Sequence, residues 1–188
     1  MQKKAKIKNI LVGVCGGISS YKTCELVRLL VKNDFSVKVV MTEAATKFVS
    51  PLVFQTLSAN PVYLDMFSLI KEKNVQHVDL ASWSQICVVA PLSANTLSKI
   101  SNGICDNLLT TVICALGQNV KVLLAPAMNE NMWKNPVITE NVNKLRNLNK
   151  YVILKPQKGE LACGVYGEGR MPEPIDIYKE INVLCTHR

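Results

Sequence analysis

Short runs rich in valine, isoleucine and leucine alternate with segments of helical periodicity along the whole chain, and this constrains its fold more than any other feature. Runs too short for helices and without polar alternation read as strands buried on both faces. Interleaved with amphipathic helices, they make a mostly parallel sheet covered on both sides. The strands read in this way are Ile7–Cys15, Ser36–Thr42, Gln85–Pro91, Val120–Pro126 and Tyr151–Lys155. The spacing predicts helices from about Ser19 to Lys32, over Pro51–Ser58, Ala94–Ser101, Asp106–Leu116 and Pro136–Leu148, and from about Pro174 to Leu184. In the first helix the apolar stripe is Tyr21, Cys24, Val27 or Leu26, and Leu30, with Ser19 or Ser20 placed to cap it by accepting from first-turn amides. The expected fold class is α/β, a doubly wound sheet of mostly parallel strands in three layers.

The 188 residues suit one domain, taken as 1–188. Hydrophobic residues at 48% and charged residues at 19% exclude disorder. No apolar run approaches the roughly 18 residues of a membrane span. The opening MQKKAKIKNILVGVCGG reads as a first strand and not as a signal peptide, so a soluble, cytoplasmic protein is expected. Twenty-two Lys+Arg against fourteen Asp+Glu leave a net charge of +8. Apart from Lys3, Lys4, Lys6 and Lys8 the basic residues are scattered, which argues against nucleic acid and suits anionic small molecules. The seven cysteines include no CxxC and the only histidines are His77 and His187, so neither a metal site nor a disulfide framework is expected.

Ligands of doubly wound sheets bind beyond the carboxyl ends of the strands, and four post-strand loops are unusual. Gly13–Lys22 (GVCGGISSYK) lacks GxGxxG, yet two glycines and two serines at a helix start suit either a phosphate cradle or a plain tight turn. In Ala90–Thr111, helix capping accounts for Ser93 and Gly103, but Asn95 and Thr96 add polar groups that could bond a phosphate or a heterocycle edge. In Ala125–Trp133, Asn129 is bracketed by Met128, Met132 and Trp133, the composition of a small-molecule pocket or of a turn beside core. Pro156–Pro172 (PQKGELACGVYGEGRMP) reads as a long mobile lid, and its Cys163 is either a proton donor on a flap or an ordinary buried thiol. His77 is the only imidazole outside the C-terminal tail.

Together GGISSYK, His77, PLSANTLSKISNGICDNLLTT, PAMNENMW and LACGVYGEGRM resemble the homo-oligomeric flavin-containing cysteine decarboxylases, from about Ile7 to Glu180. The resemblance implies a flavodoxin-like fold that binds FMN without a covalent bond, in homotrimers that can associate into dodecamers. It implies FMN contacts from Gly16, Gly17 and Ile18, from Thr42, from Ser93, Ala94, Asn95 and Thr96, and from Ala127. It further implies His77 as catalytic base, Asn129 as holder of the substrate carboxylate, Met132 and Ala162 as substrate contacts, and Cys163 as proton donor of the last step. The implied activity is FMN-dependent decarboxylation of 4′-phosphopantothenoylcysteine to 4′-phosphopantetheine in coenzyme A biosynthesis. Oxidation of the cysteine to a thioaldehyde provides an electron sink, carbon dioxide leaves to give an enethiolate, and reduction restores the saturated product. Gly17 departs from the serine of many relatives, which removes a hydroxyl but leaves the backbone cradle.

Three rivals stay open. A peptidyl-cysteine decarboxylase acting on the C-terminal cysteine of a lantibiotic-type precursor shares the FMN loops and PxMNxxMW. Such enzymes stop at the enethiol and lack the cysteine of LACG, so Cys163 favours the pantothenoyl substrate. A flavodoxin-like prenyl transferase does not account for LACGVYGEGRM. A non-catalytic flavoprotein that regulates a partner would fit an acidic tail, whereas this sequence ends at CTHR. The length leaves room for one such domain and for no attached ligase, and a stand-alone enzyme and a part of a longer one remain equally open.

Overall fold

The computed structural model describes residues 9–67, 75–160, 164 and 166–186. Six strands, β1 (Asn9–Val14), β2 (Ser36–Met41), β3 (Val62–Tyr63), β4 (Ile86–Leu92), β5 (Lys121–Pro126) and β6 (Tyr151–Ile153), form one sheet in the order β3-β2-β1-β4-β5-β6. Every pairing in it is parallel. Without the two-residue β3 the order is that of flavodoxin-like folds, and β3 extends the β2 edge. The chain runs outward from β1 to β3 and then returns to lay β4 on the other side of β1. The topological switch point therefore falls between β1 and β4.

Alternate strand residues supply two cores, because successive side chains point to opposite faces. Leu11, Val40, Cys87, Val89, Val122 and Leu124 pack under α4 (Gln76–Trp83), α5 (Ala94–Asn102), α6 (Leu108–Ala115) and α8 (Pro136–Arg146). Ile10, Val12, Val39, Val88, Leu123 and Ala125 pack under α1 (Ser20–Lys32), α3 (Pro51–Ser58) and α9 (Pro174–Thr186). All seven residues of β4, the central strand, are buried. The mostly parallel, three-layer, flavodoxin-like α/β architecture is thus the one the sequence predicts.

Several details differ. The helices α2 (Glu43–Thr46) and α7 (Glu130–Trp133) and the strand β3 were not expected, being too short to show periodicity, and α4 was not expected because it buries only Gln76, Leu80 and Ala81 and so lacks an apolar stripe. The Pro156–Pro172 segment is not a structureless lid: β7 (Gln157–Glu160) and β8 (Tyr166–Arg170) pair as an antiparallel hairpin. The buried stripe of α1 is Ser20, Thr23, Leu26, Val27 and Leu30, whereas Tyr21 is exposed and Cys24 only half-buried. Two hydroxyls replace two larger side chains there because α1 closely approaches the ends of β1 and β4. Ser20 Oγ donates to the carbonyls of Cys15 (3.0 Å) and Gly17 (2.6 Å), and Thr23 Oγ1 donates to that of Ala90 (2.7 Å). Neither Ser19 nor Ser20 caps α1 by accepting from its amides, contrary to the sequence reading.

Replacing Thr23 with valine keeps the volume but leaves the Ala90 carbonyl without its donor in a dry core. Thr23→Val is expected to lower stability by about 1–3 kcal/mol, read as a lower urea midpoint with an unchanged denaturant slope.

Candidate functional site

The loops that leave the sheet at the switch point are tied to one another through their backbones. Cys15 N–H donates to the Pro91 carbonyl (3.3 Å), Thr42 N–H to Val14 (3.0 Å) and Ala127 N–H to Leu92 (3.0 Å). Between them the β1–α1 turn, Gly16–Ser19, faces the β4–α5 turn at Ser93. Ser93 caps α5 by accepting from the Thr96 amide (3.2 Å), and Gly103 ends that helix with a left-handed φ of 70°. Burial pushes the Cys15 thiol up, partly offset by hydrogen bonds from Thr96 and Ser93, so this sulfur knits the two turns together in its protonated form.

A cavity of about 580 Å³ opens beside this point. Its walls come from three stretches: Gly17–Ser19 with Tyr21 and Lys22 at the start of α1, Ala127–Asn129 after β5, and Gly169–Met171 with Glu160 from the hairpin. The Asn129 side-chain oxygen accepts from the Asn131 amide (2.8 Å) and so caps α7. Lys22, with its side chain only 13% exposed, places its ammonium 2.5 Å from Glu173 Oε1, and Arg170 Nη2 lies 3.4 Å from the same oxygen. Two cations thus share the Glu173 carboxylate, and Glu160 brings a second acid to the lining, so the four charges balance. Lys22 and Arg170 were not singled out from the sequence. The available signal was that each stands at the edge of a glycine-rich motif, in SSYK and in GEGR.

The structure gathers only some of the expected site residues here. Gly17, Ile18, Ala127 and Asn129 line the cavity. Gly16 and Ser93 belong to the two switch-point turns and Ala94, Asn95 and Thr96 to the first turn of α5, and none of the five is in the wall of this cavity. Thr42 caps α2 and lines a different cavity of about 460 Å³ with Leu64, Phe67 and Asn107. Met132 lies on α7, 46% exposed, and is not in the wall. Among the described residues His77 does not line it either: α4 packs in one helical layer, whereas α1 and α9 pack in the other. Ala162 and Cys163 lie outside the described residues, as does His187. Of the described cysteines, Cys15, Cys24, Cys87 and Cys105 all have thiols pushed up by burial, Cys87 to about 12.

Over residues 1–185 the sequence matches the family described as Flavoprotein. The chain belongs to that family. It is 43% identical over 172 residues to the coenzyme A biosynthesis bifunctional protein CoaBC of Bacillus subtilis, a match covering 92% of this chain but 42% of that one. The chain thus spans less than half the length of that relative. It is 37% identical over 174 residues to the "Probable phosphopantothenoylcysteine decarboxylase" of Streptococcus mutans, covering 93% of this chain and 97% of that one. Among solved structures it is similar to a PPC decarboxylase mutant complexed with pantothenoylaminoethenethiol, with a TM-score of 0.83, 32% identity and coverage of 95% and 98%.

The residues at the switch point fit a flavin nucleotide. Among the described residues no side chain caps α1, which leaves the start of a 13-residue helix facing the cavity, as anion-binding helix termini do. A Cβ added at Gly17 would meet nothing within 4 Å, so the backbone there borders open space. At Gly16 a Cβ would sit 2.6 Å from Ala44 Cβ and 2.9 Å from the Ala44 carbonyl carbon, so only glycine lets this turn settle onto α2. No helix among the described residues is long and apolar enough to cross a membrane, and no group of three or more His, Cys, Asp or Glu among them could hold a metal ion.

The two glycines should therefore respond differently to the same change. Gly17→Ser is expected to alter stability by no more than about 0.5 kcal/mol. Gly16→Ser is expected to cost about 1–3 kcal/mol by overpacking. Paired urea titrations compare them directly.

Proposed function

We propose that this flavoprotein is the FMN-dependent decarboxylase that converts 4′-phosphopantothenoylcysteine to 4′-phosphopantetheine in coenzyme A biosynthesis, and that residues 1–188 constitute its FMN-binding domain. One observation carries the reading: a single cavity beside the switch point joins the uncapped start of α1, the amide of Asn129 and the cationic pair Lys22 and Arg170. When bound, FMN supplies the reversible two-electron oxidation that a cysteine carboxylate needs before it can leave. Gly16, Gly17 and Ile18 would hold its phosphate through backbone N–H groups, with Ser93–Thr96 and Ala127 around it, while Thr42 would reach the nucleotide only from the neighbouring cavity. The Asn129 side-chain oxygen is turned into the α7 cap, so the amide nitrogen is the group that meets the substrate carboxylate. An amide donor orients that carboxylate without the ion pairing that would hold it back from departure. Met132, one turn of α7 from Asn129 though outside the cavity wall, would meet the substrate from the rim, and the reading also assigns Ala162 a substrate contact. Cys163, which follows β7 in the sequence, would protonate the enethiolate carbon, and return of the two electrons taken up in the first oxidation would then give the saturated thiol.

At the other end of the substrate, Lys22 and Arg170 receive the phosphate, whose charge replaces that of Glu173 as their partner. A peptide ending in cysteine offers no such group, which favours the phosphorylated small molecule over the lantibiotic-type precursor. His77 acts as the base that takes the thiol proton. Val75 and Val78, on either side of it, are 57% and 49% exposed, and Phe67 is 78% exposed. These apolar side chains suit the contact face of a homotrimer, or of a dodecamer built from trimers, in which His77 of one copy reaches the cavity of the next. A regulatory flavoprotein without catalysis has no need of this histidine.

The test is purification in the presence of FMN, followed by assay of carbon dioxide release. Tightly held FMN and turnover of 4′-phosphopantothenoylcysteine are expected. A colourless protein, or faster turnover of a C-terminal cysteine peptide, overturns the reading. Lys22→Gln is expected to raise KM for the phosphorylated substrate about tenfold to a hundredfold, the equivalent of one lost charge-assisted bond, with KM for pantothenoylcysteine unchanged.

The shared site has its own check. His77→Asn and Asn129→Ala should each be inactive alone. Dissociated and reassociated together, they should regain about a quarter of the wild-type rate, because random mixing leaves about one site in four intact.

A further inference from the structure

The hairpin and the turn that bears Asn129 meet through two polar contacts and a close backbone approach. Met128 N–H donates to the Gly169 carbonyl (3.0 Å), and Glu168 N–H donates to Glu130 Oε1 (3.4 Å). Lys134, one helical turn on from Glu130, holds that same oxygen at 2.7 Å and steers the carboxylate across β8. The fit leaves no room for side chains. A Cβ at Gly167 would lie 2.5 Å from Glu130 Oε2, and one at Gly169 would overlap the Met128 carbonyl. Glu130 stands in the first turn of α7, where an acid ordinarily serves the helix dipole. Here it also reaches out of its own helix and grips the backbone of the neighbouring strand.

This contact matters because its two partners are adjoining parts of the cavity wall: Met128 and Asn129 from the turn after β5, Gly169 and Arg170 from the hairpin. We propose that Glu130 is a positioning residue of the decarboxylase, clamping β8 onto the Asn129 turn and so setting the separation between the amide that orients the substrate carboxylate and the cation that receives its phosphate. The proposal rests on the function given above. Glu130 itself touches no reacting atom; it acts through the two loops it joins. Because the clamp works by accepting a backbone N–H, an amide side chain of the same length replaces it, whereas a methyl group does not. The hydrogen bond from Lys134 then contributes orientation but is not itself required.

The test compares Glu130→Ala with Glu130→Gln by hydrogen exchange and by steady-state kinetics of the FMN-loaded enzyme. In Glu130→Ala the Glu168 amide is expected to exchange about tenfold faster or more, and KM to rise about tenfold with kcat changed less than threefold. Bound FMN stays at the wild-type level, because the cradle lies across the cavity. Glu130→Gln should remain within about twofold of wild type in exchange and in KM. Gly167→Ala, which displaces the carboxylate from the other side, should reproduce Glu130→Ala. Unchanged exchange in Glu130→Ala, or a glutamine variant as impaired as the alanine one, overturns the clamp. Loss of FMN in Glu130→Ala also overturns it, since the residue would then support the whole fold. Exchange needs no turnover, so a wild-type enzyme inactive on the phosphorylated substrate would overturn the proposed function, while the exchange data would still judge the contact.

Discussion

The hydrogen bond from Cys15 N–H to the Pro91 carbonyl joins the ends of β1 and β4, where the chain leaves the sheet in opposite directions. A parallel sheet that splits there opens a crevice whose walls are two strand-to-helix turns. The crevice is useful only if its walls are held in register, and bonds formed in the driest part of the molecule do this. Thr23 ties α1 to the Ala90 carbonyl, Ser20 ties the start of α1 to the Cys15 carbonyl, and the Cys15 sulfur lies between Ser93 and Thr96. The first helix is therefore fastened to β4 as well as to the strand that precedes it. A cradle built in this way is preorganised, so little ordering remains to be done when a nucleotide arrives.

The opposite side of the cavity is assembled from parts distant in sequence. The hairpin β7–β8 belongs to neither core, and its glycines let it lie directly against the turn after β5. Polar contacts replace apolar burial there, with Glu130 and Lys155 both engaging residues of β8. The cavity thus has one wall fixed by the hydrophobic sheet and one held by hydrogen bonds and charge. The first suits a cofactor that stays, the second a substrate that comes and goes.

How much of this could be read in advance depended on length and on burial. β1, β2, β4 and β5 were legible because their valine, isoleucine and leucine runs have no alternative to a doubly covered sheet. The helices α1, α3, α5, α6, α8 and α9 were legible because each carries a stripe over two turns or more. α2, α7 and β3 span too few residues for a period to show, α4 is as long as α3 but buries only Gln76, Leu80 and Ala81, and QKGE with YGEGR is too polar and too rich in glycine to read as strands. Those strands form because a docking partner exists, which no local pattern records. Of the loops, those containing Gly16, Ser93 and Asn129 stood out because small polar residues at the ends of buried strands call for an explanation. The pairing of Lys22 with Glu173, 151 residues apart, left no comparable trace.

The amino-acid sequence by itself determined the layered α/β architecture, the glycine-bearing turn at the start of α1, and the chemical kinds of group placed after each strand. These follow from local propensity and hydrophobic period, which act over a few residues and do not depend on what lies across the molecule. Only the tertiary structure decided which groups share a cavity. It brought Asn129, Lys22 and Arg170 to one wall-to-wall space, sent Thr42 to another and left His77 in the opposite helical layer. That choice depends on the order in which parallel strands join the sheet and on the side to which each crossover helix falls. Both are settled by the packing of the whole chain.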